Sequence, residues 1–296
     1  QQSFPAHLSG FNHCCVTQKV VDAYRMADGR NIGESTAQYP YSETGFTTSP
    51  KKFSGYRLNS GVYNMYNNRE MRFYASIGFS ECFWPMTSTS TTGNYNQTVT
   101  YYFDSPDGKQ SNVIDYPLTG YVIKKFINPT DAWAGTNAKR LTKAYPVIRY
   151  ADILLMYAEA LNHLTTTHTV QLDGETYTLS RDVDEMRKAF NQVRHRAGLP
   201  GMSVTEAADV DEVQKLIEQE RMVELLFENE RYYDVRRWGK YEASESVTMT
   251  GMNMDGTKAT YYQRTVPNSN RVGSRVVNRK MMFMPIPNSE IRKLPA

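Results

Sequence analysis

The sequence contains no run of about 18 or more apolar residues, the length that a membrane-spanning helix needs. Residues 1–20 lack the basic start and the apolar stretch of a signal peptide. The 34 basic and 31 acidic side chains leave a formal net charge of +3, and no basic block occurs along the chain. These absences predict no membrane-spanning helix and no nucleic-acid partner, because both need features that are missing.

Motifs for metal, cofactor or covalent chemistry are also missing. The five histidines never fall at metal-ligand spacing on one helix face, and no Walker loop, dinucleotide fingerprint or nucleophile elbow occurs. Cys14, Cys15 and Cys82 fit no zinc or redox spacing. They are expected as free thiols, although a disulfide from Cys82 to one of the adjacent pair stays open. The sequence therefore predicts no metal ion and no cofactor.

Aromatic residues are abundant instead, with 21 Tyr, 12 Phe and 3 Trp, and many tyrosines stand in polar surroundings. Tyrosine combines a flat apolar face with a hydrogen-bonding tip, which suits cores, interfaces and sugar-binding surfaces. The composition changes near residue 143. Residues 1–142 indicate loops and short strands, with strands at 71–79 and 120–127 and a hairpin between them that turns at 105–108. Residues 143–296 indicate helices, and we expect both regions to pack as one domain.

Helical periodicity is strong in the second region. Apolar residues recur at helical steps over 145–164, 182–197 and 209–237, and Pro146 suits the first turn of the first helix. That helix is apolar nearly all round except for one polar stripe, so we expect it to pack against more than one neighbour. A hairpin over 169–179 is predicted to turn at Asp173-Gly174. The pattern predicts a mainly α fold of tetratricopeptide-like helix pairs with an irregular loop and short-strand region.

The segment 220–241 mixes acids and arginines with apolar residues on one helical face. Buried carboxylates need cations at close range, and an arginine stands within three or four residues of every acid here. Such pairing favours the ionised state, which argues for a scaffold over a catalytic acid/base pair. We therefore predict a structural ion network of Glu220, Arg221, Glu224, Arg231, Asp234 and Arg236, with Arg149 or Arg194 added from neighbouring helices.

Several stretches resemble, in order, the C-terminal half of the SusD/RagB family. They read YPVIRYADILLMYAEALN, AFNQVRHRAGLPG, IEQERMVELLFENERYYDVRRWGKY and MFMPIPNSEI. Upstream, VVDAYRMADGRNI, NREMRFYASI and KKFINPTD are also similar to that family. The similarity extends from about Val20 to Ile291, nearly the whole chain.

The resemblance implies a mainly helical, non-enzymatic lipoprotein on the outer membrane, at the cell surface of Bacteroidetes. Such proteins form a lid over a SusC-like TonB-dependent transporter and capture glycans, or peptides in the RagB-like branch. Family members are usually longer, and Cys14 and Cys15 follow GFNH, which is no lipidation motif. We therefore expect a C-terminal portion, with the family's N-terminal half and the lipid anchor outside this chain.

Aromatic residues in polar loops are the expected ligand platforms, because sugar rings present apolar C–H faces and hydroxyls that need polar partners. A carbohydrate-active hydrolase using Glu43, Glu81 or Asp104 is a second hypothesis. A pure interaction module without a ligand site in this half is a third. The predicted ligand-binding residues are Trp84, Tyr95, Tyr39, Tyr41, Tyr101 and Tyr102, with Asn94 and Asn96 as hydroxyl partners.

Overall fold

The computed structural model describes residues 1–53, 56–87, 96–134, 138–268 and 276–293. Helix is the main regular structure, and most of it follows residue 149. Within the described residues no helix is both long and apolar enough to cross a membrane. The helices are α1 (Gln18–Ala23), α2 (Met71–Ser76), α3 (Tyr150–His163), α4 (Val183–Arg196), α5 (Val204–Ala208), α6 (Val210–Glu224), α7 (Glu230–Arg237), α8 (Tyr241–Glu245) and α9 (Asn288–Ile291).

The strands are short and form antiparallel pairs. The β3–β6 pair aligns Ile77 with Ile123, and the β4–β5 pair aligns Cys82 with Val99. The hairpin β7–β8 turns at Asp173-Gly174, where both residues have positive φ, as the sequence predicts. The strands are β1 (Lys51–Phe53), β2 (Tyr56–Leu58), β3 (Ile77–Phe79), β4 (Cys82–Trp84), β5 (Gln97–Val99), β6 (Tyr121–Ile123), β7 (His168–Leu172), β8 (Glu175–Leu179), β9 (Gly251–Met252) and β10 (Arg264–Thr265).

Two apolar clusters make the core. The first gathers aromatic side chains from the loop and strand region, including Tyr66, Phe73 and Phe79, whose rings lie 4.5–6.1 Å apart. The second lies between α3, α4 and α6, where Leu155, Phe190 and Ile217 are almost fully buried. Helix α6 joins the clusters, because its Val223 packs into the first cluster and its Ile217 into the second.

The helix predicted over 145–164 starts four residues later than Pro146 indicates. Helix α3 begins at Tyr150, and Arg149 has an extended backbone. The Arg149 guanidinium binds Glu224 at 3.0 Å and Glu228 at 2.7 Å. The prediction of more than one neighbour is confirmed, since α3 packs against both α4 and α6, although Tyr150, Ile153 and Tyr157 on a further face are exposed.

The single helix predicted over 209–237 is interrupted. Helix α6 ends at Glu224, and α7 starts at Glu230 after Phe227 and Asn229 adopt left-handed backbones. The Lys125 ammonium accounts for the break, because it donates to the carbonyls of Glu224 (2.8 Å) and Leu226 (3.0 Å) that the helix end leaves free.

Two predictions in the first region need correcting. Residues 71–76 form helix α2 and only 77–79 form a strand, because tertiary packing buries Phe73 and Tyr74 against the aromatic core. The turn at 105–108 exists, with the Gly108 amide donating to the Ser105 carbonyl, but the hairpin of this stretch is β4–β5. The three cysteines are free thiols.

Candidate functional site

Two of the predicted ligand platforms lie inside the aromatic core. Trp84 and Tyr101 are both 0% exposed, and Phe4 meets the Trp84 ring edge-on at 5.4 Å. Strand β4 carries Trp84 in a segment whose three residues are all buried. A ring that is enclosed on both faces cannot stack on a ligand, so the structure assigns these two residues to packing and corrects the prediction.

The other predicted residues lie in four different settings. Asn94 and Tyr95 lie outside the described residues. Asn96 helps to close the β4–β5 hairpin, where its Oδ1 accepts from the Met86 amide at 3.3 Å. Tyr39 is half-buried in a turn, and its amide donates to the Thr36 carbonyl at 3.1 Å. Tyr41 and Tyr102 are half-buried and border a surface around Phe46. Tyr41 donates to Glu43 at 2.7 Å, and the Lys258 ammonium lies 5.8 Å from the Phe46 ring centroid and 5.9 Å from that of Tyr102.

That surface, which we call the aromatic shelf, consists of Tyr41, Phe46, Tyr63, Tyr102 and Tyr262. Tyr63 and Tyr262 stack with ring centroids 4.2 Å apart, and Phe46 meets their edges at 5.5 and 5.4 Å. Phe46 is 40% exposed, whereas Tyr63 is buried beneath it. The shelf therefore presents an exposed phenyl ring on a rigid stacked base, with half-buried Tyr41 and Tyr102 beside it.

Backbone hydrogen bonds hold the loop that carries Phe46. An antiparallel bridge pairs Phe46 with Tyr63, and the Thr47 amide donates to the Val62 carbonyl at 2.8 Å. The Asn64 side chain adds a hydrogen bond to the Thr44 carbonyl at 2.8 Å. These bonds fix the ring in place before any ligand arrives, which lowers the entropic cost of binding.

Charged side chains border the shelf on one side at Tyr41. Arg264 binds Asp22 and Glu43, each with a closest contact of 2.5 Å, and donates to the Tyr41 hydroxyl at 3.2 Å. Hydrogen bonding by Arg264 holds the pKa of Glu43 below its ordinary value, against the opposing effect of burial. Burial and the hydrogen bond to Glu43 raise the pKa of Tyr41, so its hydroxyl stays protonated.

A second charged pair borders the shelf at Tyr102. The Lys258 ammonium binds Glu81 at 2.5 Å and lies 5.8 Å from the Phe46 ring centroid and 5.9 Å from that of Tyr102. Glu81 has a left-handed backbone at the tight turn between β3 and β4. Flat aromatic faces flanked by donors and acceptors are the arrangement that a sugar ring requires.

The sequence analysis missed Phe46, although it carries the signal used for its neighbours. Phe46 stands in the polar run SETGFTTS, as Tyr41 stands in AQYPYSE. Tyr262 and Lys258 lie more than 200 positions further along the chain, and no local pattern could place them beside Phe46.

An ion network on one side of α6 links the two clusters, and we call it the Arg72 network. Arg72 contacts Glu70 (2.7 Å), Glu220 (2.6 Å) and Glu224 (3.0 Å). Burial opposes ionisation of Glu224, but hydrogen bonds from Arg196 and Arg72 hold its pKa below the ordinary value. The members are Arg72, Lys125, Arg149, Arg194, Arg196, Glu70, Glu220, Glu224 and Glu228.

A second network centres on Arg221, whose side chain is 2% exposed. It contacts Asp152 at 2.7 Å, Asp234 at 2.8 Å and Glu230 at 3.6 Å, which joins α3, α6 and α7. Arg237 extends the network by binding Asp234 at 2.9 Å, and it binds Glu159 at 2.6 Å.

Arg231 and Arg236 make contacts other than the predicted ones. The Arg231 guanidinium donates to Ser244 Oγ at 2.8 Å, and that of Arg236 lies over the rings of Tyr232 and Tyr241 at 3.6 and 4.2 Å. Short α7 turns both side chains away from the carboxylates that a continuous helix would have offered.

The helix stack with its aromatic loop layer defines a mainly α scaffold whose candidate ligand surface lies on irregular segments. The model of the SusD family matches residues 2–296, and the chain belongs to the SusD family. The resemblance and the tetratricopeptide-like fold class inferred from the sequence are thereby confirmed.

Solved structures agree with this assignment. A SusD-like protein (BF3747) from Bacteroides fragilis NCTC 9343 is 28% identical, with a TM-score of 0.65 over 94% of this chain and 45% of that chain. The protein BT4246 is 21% identical, with a TM-score of 0.71 over 94% of this chain and 44% of that one. A SusD-like carbohydrate binding protein (BF0978) from the same B. fragilis strain is 19% identical, with a TM-score of 0.61 over 99% of this chain and 50% of that chain.

The chain therefore spans about half the length of the solved structures that it matches. Among curated proteins, none matches it.

Proposed function

We propose that this chain belongs to a non-catalytic cell-surface protein that binds an oligo- or polysaccharide on the aromatic shelf and delivers it to a SusC-like TonB-dependent transporter. The observation that carries this proposal is the exposed, pre-positioned Phe46 ring between two charged hydrogen-bonding groups. The likeness to a structure described as a SusD-like carbohydrate binding protein supports it.

Binding on the shelf would combine stacking with hydrogen bonds. Each aromatic platform contributes roughly 1–3 kcal/mol when a sugar C–H face covers it. Phe46 and Tyr102 supply rings, while Glu43, Arg264 and Lys258 supply partners for hydroxyls. Two or three platforms give only modest affinity per sugar, which suits a protein that must release its ligand to a transporter.

We place the protein at the outer membrane, on the cell surface, held by a lipid anchor. Family membership supports this location. Peptide capture of the RagB type is the alternative ligand class, because aromatic rings and charged pairs also recognise extended peptides.

A hydrolase is the less favoured function. Glycoside hydrolysis requires one carboxyl group that stays protonated beside a second, ionised one. Glu43 is paired with Arg264 at 2.5 Å, and this hydrogen bonding holds the pKa of Glu43 below its ordinary value. Glu81 is held in an ion pair with Lys258 at 2.5 Å. We expect no cleavage of any bound glycan. If the parent protein cleaves a bound glycan and the Glu81→Gln variant does not, the protein is an enzyme and the binding-only function is wrong.

Affinity electrophoresis against a panel of polysaccharides tests the proposal. We expect at least one polysaccharide to retard the protein, and the Phe46→Ala/Tyr102→Ala variant to migrate without retardation. Tyr177→Ala, which removes an exposed aromatic ring from the β7–β8 hairpin, is the matched control and should behave as the parent protein. Retention of casein peptides with no polysaccharide bound would favour the peptide alternative.

A further inference from the structure

A pocket of about 320 Å³ lies beside the Arg72 network, on residues that the aromatic shelf does not use. Its charged lining contains four cations and one carboxylate. We call it the basic pocket, and it is lined by Arg72, Ser76, Lys125, Arg149, Arg196, Ala197, Val223 and Glu224.

The charge balance of the surrounding network leaves one cation in surplus. The ion pairs join five cations to four carboxylates among the described residues. Glu224 is shared by three arginines, Arg72, Arg149 and Arg196. Arg72 also pairs with Glu70 and Glu220, and Arg149 with Glu228, whereas Arg196 pairs with Glu224 alone among the described residues. The one surplus positive charge therefore favours a further anion at Arg196.

Arg196 is the side chain best able to meet that anion. It is 56% exposed, whereas Arg149 is 24% exposed and Lys125 19%. Lys125 already donates to three oxygens and Arg149 to two carboxylates. Arg196 contacts Glu224 through one nitrogen, Nη2, at 2.5 Å. A guanidinium with an exposed edge can hold a carboxylate through two parallel hydrogen bonds.

An adjoining cleft of about 410 Å³ shares Arg149 and Arg196 with the basic pocket and is more apolar. Tyr150 forms one wall and is 69% exposed, and Leu154 and Val193 form its floor. The two cavities together place a cationic end directly beside an aromatic face. This combination matches a ligand that carries an anionic group on a ring with an apolar face.

We propose that the basic pocket and this cleft bind an acidic sugar, with the carboxylate of a uronic acid at Arg196 and its ring against Tyr150. The inference rests on the proposed glycan-binding function and deepens it, because it assigns a second subsite and a charge class to the ligand. A uronic acid carries both a carboxylate and an apolar ring face within one sugar unit. The two cavities offer the matching cationic and aromatic surfaces side by side.

Titration of the chain with sodium glucuronate, glucose, acetate and sulfate, followed by NMR of the tyrosine and arginine side chains, tests this assignment. Glucuronate should bind about tenfold more tightly than glucose and acetate, because only it satisfies both cavities. Equal affinity for glucuronate, acetate and sulfate would mean a general anion site and would overturn the sugar assignment. Absence of glucuronate binding would overturn the whole inference.

Variants locate the site. Arg196→Gln and Tyr150→Ala should each weaken glucuronate binding about tenfold. Lys188→Gln, which removes one exposed charge from the same helix, should leave it unchanged. Equal effects of Arg196→Gln and Lys188→Gln would show a diffuse charge effect and contradict the site.

Phe46→Ala separates the two proposals. It should weaken binding of neutral polysaccharide about tenfold and spare glucuronate. If neutral polysaccharide binds to the shelf and glucuronate does not bind, only the acidic subsite fails. If no carbohydrate binds anywhere, the proposed function fails with it.

Discussion

Arg72 Nη1 lies 2.6 Å from Glu220 Oε1, and this contact joins two residues that are 148 positions apart. Arg72 belongs to α2 at the aromatic core, and Glu220 belongs to α6 in the helix stack. The Arg72 side chain is 14% exposed and that of Glu220 is 2% exposed. This nearly buried ion pair therefore links the aromatic loop layer, which carries the shelf, to the helix stack. Breaking one partner of such a pair leaves an uncompensated charge out of water, which is strongly unfavourable.

The Arg221 network should be necessary for stability. Arg221→Met leaves Asp152, Asp234 and Glu230 without their shared cation, so we expect a loss on the order of 3–5 kcal/mol in the free energy of unfolding. Urea denaturation measures it. Arg236→Met removes contacts with two tyrosine rings and one hydrogen bond to the Tyr232 carbonyl at 2.7 Å. It removes no ion pair with a carboxylate among the described residues, so it should cost about 1 kcal/mol. Equal losses in the two variants would contradict a structural role for the network.

Gly120 should tolerate no side chain. Its φ is +75°, and a Cβ there would lie 2.5 Å from Tyr261 Oη and 2.8 Å from Met252 Cβ. Gly61 has a similar φ of +80° but nothing within 4 Å, so it is the matched control. Gly61→Ala should cost about 1 kcal/mol for the left-handed backbone alone. Gly120→Ala should cost about 1–3 kcal/mol more, because Tyr261 must shift. Thermal unfolding of the two variants compares them, and equal costs would show that the Tyr261 contact is unimportant.

Lys124 should make stability rise with pH. Its side chain is buried, and desolvation lowers its pKa from 10.5 to about 8. The folded protein therefore loses this proton at lower pH than the unfolded chain does. Below about pH 8 the penalty for the buried charge is complete, and it disappears as pH rises towards 10. The difference is on the order of 3 kcal/mol.

Urea denaturation between pH 7 and 9.5 checks this effect in the parent protein and in Lys124→Met. The parent should gain stability relative to the variant across the range. The Lys124 ammonium donates to the carbonyls of Tyr74 (2.9 Å) and Phe83 (3.4 Å) and lies over the Tyr56 ring, so the variant also tests these contacts. A constant difference between the two proteins at every pH would show that Lys124 does not titrate in this window.

Local features were predictable from the sequence because they depend on neighbours along the chain. Asp182 caps α4 by accepting from the Glu185 amide, and Asp173-Gly174 turns the β7–β8 hairpin, as the residues indicate. Arg149 and Arg194, which the sequence predicts as added partners, bind Glu224 and Glu220. Arg72 was not predicted, since it lies about 150 positions away from both glutamates. No rule based on spacing within one helix can identify such a partner.

The residues of the candidate site were likewise predictable only in part. Polar loop surroundings mark Tyr41 and Tyr102, which are half-buried, but they also mark Trp84, which is fully buried. Burial of Trp84 depends on β5 pairing with β4 and on Phe4 from the start of the chain. Exposure is a property of the assembled fold, and sequence surroundings alone do not fix it.

Glycan binding at the aromatic shelf is the central claim, and isothermal titration calorimetry tests it most directly. An oligosaccharide from whichever polysaccharide retards the protein should bind the parent chain and the Tyr177→Ala control equally. Phe46→Ala should weaken binding about tenfold, since one stacking platform is lost. Unchanged affinity in Phe46→Ala, with its fold intact by circular dichroism, would contradict the account.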